Sequence, residues 1–365
     1  DRLAVAGKAK HIHLYSLRLS EGVFSMGLLA RFDAPHGGTV LSVALDAAAG
    51  MLAAGGEAKV VQLWRVPQFD DEGRLLSTDA HAAERPMPGT AASVSAASNG
   101  SNQIVLSEGP PIHATTQFRT ASTIHSLALK GSGDALAVGT NEHTEIYRVS
   151  QFMCEPLVLL SSCPAPQGGV AFANADSKLA IGGNQRVYVF DLETGGMLCS
   201  MVREGRVRCV ALSDDGSSLV VGGFDKKVQL HMIKRGTELT TFRTTERTTV
   251  VRSCHLSCDS RYLAMGTELN GKGSALIWDA RTEMCEHTWP QTKPVWAVRF
   301  NVDAKLLAVG GFEMCVHLYR TTGDRDLLQT IKYTPLGGPA FIWSLNWSAD
   351  GARFIVGCWN QQTFL

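Results

Sequence analysis

Gly266-Thr267-Glu268-Leu269-Asn270-Gly271-Lys272-Gly273 has the spacing with which a glycine-rich loop wraps a phosphate chain, its Lys reaching the outer phosphates. The match fails where it matters. Gly273 stands where Ser or Thr would hold magnesium, and no helical pattern follows to bring a helix N-terminus to the anion. The expectation is a long, flexible hairpin loop. His11 and His13 alternate onto one face of a strand, as a metal-binding pair would, yet no further His, Cys or carboxylate cluster is apparent in sequence to complete the site. Cys254 and Cys258 are a close pair with no second pair near them. No Gly-x-Ser-x-Gly elbow occurs, and no Ser, His and Asp assemble from motif context. No catalytic residue, metal ligand or cofactor is therefore expected, and the chain is read as a non-enzyme.

Composition narrows the remaining classes. Lys+Arg and Asp+Glu both number 34, so no global field draws the chain to nucleic acid or anionic lipid, and no nucleic-acid partner is expected. No apolar run approaches the ~18 residues of a membrane span, and the N-terminus carries no signal-peptide pattern. The nine cysteines are odd in number, scattered, and mostly within apolar runs, as at Cys209, Cys254 and Cys315. That usage fits reduced core thiols in a cytoplasmic or nuclear protein. The chain begins without Met inside a strand-like run, and is read as a fragment of a longer one.

What positions any functional residue here is a repeat. Leu52-Ala53-Ala54-Gly55-Gly56 recurs as Leu136 to Thr140, Leu179 to Gly183, Leu219 to Gly223, Leu263 to Thr267, Leu307 to Gly311 and Phe354 to Cys358, with a looser copy at Leu3 to Gly7. The anchor glycines fall at 7, 55, 139, 182, 222, 266, 310 and 357. One interval is about double the others. An alternating run such as Val207-Arg208-Cys209-Val210-Ala211-Leu212 precedes each anchor, a second run closing on an aromatic follows it, and a fourth follows that. Four strands per unit cannot bury two faces alone, so neighbouring units must stack.

This pattern resembles the WD-repeat family. Trp278-Asp279 is a literal Trp-Asp pair at the end of a third strand; Asp191 follows Phe190, whereas Arg65, Arg148 and Arg320 stand in that place elsewhere. The Gly-His dipeptide is missing, Pro35-His36 coming closest. The resemblance implies an all-β propeller of seven or eight four-stranded antiparallel blades with incomplete terminal blades, spanning residues 1–365 as one domain. His13 then aligns with Gln62, Gln229 and His317, an ordinary third-strand position.

Six copies are complete; the first lacks its first strand and the last stops within its third. The terminal strands are accordingly expected to lack mutual closure. The double interval holds an insertion, residues 67–112, whose stretch 82–102 is almost all Ala, Ser, Gly, Pro and Asn and is expected to be disordered and dispensable. Thr116 to Thr120 echoes the fourth strand around Phe242-Arg243, placing the insertion between third and fourth strands.

The second residue of each first strand lies, by the resemblance, at the rim of the central channel. Round the ring these are Leu41, His125, Gly168, Arg208, Arg252, Trp296 and Trp343, with Phe224, Phe312 and Trp359 following the anchor glycines on the same face. Two Arg and two Trp on successive blades have the composition of a protein-binding centre, suited to an acidic or phosphorylated peptide with an apolar anchor. The competing reading packs both Trp between blades. The function expected is a protein–protein interaction scaffold. Alternatives are a substrate receptor of a cullin-type ubiquitin ligase, docking through Trp278-Asp279-Ala280-Arg281, and a catalytic or ligand-binding propeller.

Overall fold

A computed structural model describes residues 2–6, 11–20, 23–33, 40–46, 50–66, 68–69, 75–77, 116–150, 153–160, 169–173, 177–233, 237–243, 249–332, 340–347 and 353–360. Among them no α-helix occurs, and the strands form six four-stranded antiparallel sheets, one five-stranded sheet and a two-stranded pair. The six are the complete repeats. The inner strands of the first to sixth blades are Val40–Asp46, Ile124–Leu129, Val170–Phe172, Val207–Leu212, Val250–Leu256 and Val295–Phe300. The anchor glycines end the second strands, as in Ser218–Gly223 and Leu306–Gly311.

The expected seven or eight four-stranded blades are too many. The two incomplete end copies share one sheet, ordered Val23–Asp33, His11–Ser20, Arg2–Ala6, Arg353–Asn360, Ala340–Trp347. Arg2–Ala6 pairs parallel with Arg353–Asn360, so the expectation of unclosed terminal strands is also corrected. The reason is in the repeat: both are second-strand copies, which run in the same sense about the axis, so they meet parallel. Its inner strand Ala340–Trp347 abuts the inner strands of both the sixth and the first blades.

Apolar cores lie between blades. Between the fourth and fifth, Cys209, Val228 and Leu230 pack on Val251, Cys254 and Met265; between the fifth and sixth, Ile277 packs on Val295, Val298 and Leu307. The anchor glycine is needed because a β-branched residue of the next inner strand rests on it. A Cβ at Gly222 would lie 2.8 Å from Val251 Cγ1, one at Gly266 2.8 Å from Val295 Cγ1, and one at Gly310 2.5 Å from Ile342 Cγ2. Along the channel wall Ser42 Oγ accepts the Leu127 N–H at 2.8 Å, Ser126 Oγ accepts Val170 N–H at 2.9 Å and Ser253 Oγ accepts Val298 N–H at 3.2 Å, tying the first blade to the second, the second to the third and the fifth to the sixth.

Thr116–Arg119 pairs with Val60–Arg65, so the insertion does enter between third and fourth strands of the first blade. Within it Gln68–Phe69 pairs with Leu75–Ser77; residues 82–102, expected to be disordered, lie outside the described residues.

Candidate functional site

Every described inner strand but the shortest carries a β-bulge at its start, and the extra residue is the rim residue read from the repeat. Register shifts fall between Val40/Ser42, Ile124/Ser126, Val207/Cys209, Val251/Ser253, Val295/Ala297 and Ile342/Ser344, singling out Leu41, His125, Arg208, Arg252, Trp296 and Trp343. A bulge breaks the alternation and re-aims one side chain while the rest of the strand keeps its apolar register. Gly168 lies outside the described residues, as does the side chain of Trp359.

Four of these side chains converge. Trp296 meets Trp343 edge-on with ring centroids 4.4 Å apart, and Phe312 edge-on at 4.1 Å; Phe312 in turn lies 4.3 Å from Phe341. The Arg252 guanidinium stands 5.2 Å from the Phe224 ring and 6.0 Å from Trp296. Arg208 lies near enough to Arg252 to feel its charge, and it also stands 5.4 Å from the Trp343 ring, three blades on. Neither Trp is fully buried between blades: both are partly exposed, as are Arg208, Arg252 and His125, and Phe224 is 39% exposed.

A second ring, two residues after each anchor glycine, completes the mouth. It contributes Asn141, Phe224, Glu268 and Phe312. Glu268 was missed in the sequence. Its Oε2 accepts from Arg252 Nε at 2.6 Å and from Trp296 Nε1 at 3.3 Å, fixing both groups. Asn141 Oδ1 lies 2.5 Å from His125 Nε2. The fixed offset from the anchor was the available signal. Local charge is positive: burial first, then the Arg252 charge, lowers the pKa of Arg208, and burial followed by Arg208 and Arg206 lowers that of His125 against an opposing Asn141 bond.

The remaining motifs resolve simply. Leu269-Asn270-Gly271-Lys272 is a tight turn with Leu269 and Lys272 exchanging backbone bonds and positive φ at Asn270 and Gly271, as a two-residue hairpin loop requires; it is neither long nor a phosphate loop. Asp279 is buried at the end of Gly273–Asp279. It accepts from the Arg281 and Thr282 backbone and from Arg261 Nε at 3.1 Å, which organises the turn and leaves Arg281 exposed at the end opposite the mouth. Between the third and fourth blades, Arg203 of the connecting loop and Asp225 of the fourth blade's second–third strand turn form an ion pair at 2.8 Å with side chains 2% and 4% exposed. The side chains of His11 and His13 lie outside the described residues.

One grouping contradicts the expectation of no His, Cys or carboxylate cluster. Glu313, in the turn before Cys315–Arg320, and Cys315 and His317, on one face of that strand, bring three donor atoms within 4.8 Å of one another. Burial, with the Glu313 carboxylate beside it, pushes the Cys315 thiol up to about 11. Glu-x-Cys-x-His, at alternate positions of a turn and strand, was legible but unread.

A ring of sheets with aromatic and guanidinium side chains at one end of its channel defines a β-propeller. The WD40 family pattern (WD domain, G-beta repeat) matches two stretches of the chain, residues 198–231 and 283–320. No curated protein matches the chain. Propellers of this repeat family are commonly protein-interaction scaffolds and generally non-catalytic. Among the described residues no helix is long and apolar enough to cross a membrane.

Proposed function

We propose that this protein is an interaction platform that grips an acidic or phosphorylated segment of a partner protein at the channel mouth. Arg208, Arg252, Trp296 and Trp343 form the centre, with His125, Phe224 and Phe312 round it. The observation that carries the reading is the convergence of two guanidinium groups and two part-exposed indoles at one point. Arg208 and Arg252 repel one another, which a carboxylate or phosphate between them would relieve. Trp296, Phe312 and Phe224 offer flat apolar area at small entropic cost. Residues 1–365 act in this reading as one propeller with 67–112 as an insertion. The free thiols of the described residues fit the cytoplasm or nucleus. A second reading, docking of a ligase adaptor at the opposite end, draws on the exposure of Arg281.

The test is capture of partner proteins, and of phosphorylated and unphosphorylated acidic peptides, by the wild type and by Trp296→Ala and Arg252→Ala. Truncating such a centre removes about 2 kcal/mol, roughly a thirtyfold loss of affinity. Folded variants that keep every partner at wild-type affinity would refute the assignment.

A further inference from the structure

We propose that Glu313, Cys315 and His317 form a binding site for one zinc-like divalent cation on the sixth blade, independent of the mouth. The donors are of three different types, all good zinc ligands. His317 Nε2 lies 2.9 Å from Glu313 Oε2 and 3.2 Å from Cys315 Sγ, and Sγ lies 4.0 Å from Oε2. A tetrahedral zinc, with bonds of about 2.0–2.3 Å, holds its donors about 3.4–3.6 Å apart. The triangle therefore closes on an ion with shifts of about half an ångström.

The surroundings are arranged as ligands need. His317 Nδ1 lies 2.9 Å from Thr330 Oγ1 on the neighbouring strand. With Nδ1–H donated there, Nε2 turns its lone pair to the other donors. Glu313 Oε1 accepts the Thr292 backbone N–H at 2.8 Å and the Thr292 hydroxyl at 2.5 Å, orienting the carboxylate so that Oε2 faces Cys315 and His317. His317 and Glu313 thus each have a holding partner at the far atom, and Cys315 is placed by its strand. A pocket of about 10 Å³ is lined by Glu313, Cys315 and His317 together with Gln291 and Lys293, room for about one ion or water. On binding, the thiol loses its proton to solvent and the thiolate and carboxylate charges balance the dication. Because Thr292 and Glu313 join the loop before the sixth blade to its second–third strand turn, the ion would brace the blade edge rather than act on a substrate.

The untagged full chain is titrated with cobalt(II) under reducing conditions, then with zinc as competitor. One equivalent should produce a thiolate-to-cobalt absorption band that zinc bleaches. Cys315→Ser should abolish the band, and His317→Gln should abolish or strongly weaken it should Cys315→Ser fold poorly. Thr330→Val should keep the band but weaken affinity about 10–100-fold. Cys258→Ser, which alters the exposed thiol on the fifth blade, should change nothing. Absence of a stoichiometric band, its survival in folded Cys315→Ser, or its loss in Cys258→Ser would overturn the proposal.

Discussion

Gly310→Ala tests the stacking argument where it is most exposed, at the junction of the sixth blade with the shared terminal sheet. The new Cβ would stand 2.5 Å from Ile342 Cγ2, 3.0 Å from Ile342 Cβ and 3.4 Å from Leu345 Cδ1. Ordinary contact begins near 3.5 Å, so one side must yield by about an ångström, in a place where Ile342 is fully buried and β-branched. Overpacking of this kind costs about 1–3 kcal/mol. Ile342→Ala alone opens a cavity and costs about 2–5 kcal/mol. In the double variant the 2.5 Å contact disappears, leaving only the tight 3.0 Å approach to the Cβ at position 342, and the added methyl refills part of the cavity. The two losses should then fail to add, with a favourable coupling of about 0.5–3 kcal/mol. Urea unfolding of the four proteins measures the cycle. Additive losses, or a neutral Gly310→Ala, would mean that Ile342 does not rest on Gly310, and the terminal sheet would lose its place in the ring.

Replacing Asp225 by Ala strands the buried Arg203 guanidinium and should cost about 3–5 kcal/mol, while the paired change Arg203→Met with Asp225→Leu should cost far less; equal losses in equilibrium unfolding would contradict the account. His255 is held neutral, its pKa pushed well below 6.5 by burial and then by Arg299, and its Nδ1 accepts the Phe300 N–H at 3.2 Å. The unfolded chain therefore takes up the proton first, so this contribution to stability is full above about pH 6.5 and shrinks as pH falls toward the depressed value. Melting temperature should drop less steeply between about pH 6.5 and pH 5 in His255→Gln than in the wild type; parallel slopes would refute it.

Much of this fold is legible in one strand-length window at a time. An anchor glycine is demanded by the neighbouring Val or Ile, so it recurs at every blade, and with it the four-strand unit, the six complete copies and the entry point of the insertion. The rim positions were legible too, because the bulge that re-aims them sits at a fixed offset from the anchor. What escaped depends on closure of the ring. Arg208 finds Trp343 only once three blade rotations have brought them across the axis, and no spacing along the chain encodes that. The end copies fuse because both happen to bring second strands to the same gap. Glu268 acquires meaning only when Arg252 and Trp296, from two different blades, converge on it. The Glu313, Cys315 and His317 trio lay within five residues of sequence, yet its far atoms are held by Thr292, from the loop before the blade, and Thr330, from its outer strand. Local periodicity follows from backbone pairing and near-neighbour packing, which the chain carries residue by residue; the contacts that give the mouth and the trio their chemistry come from the rotation between blades, which belongs to the assembled ring.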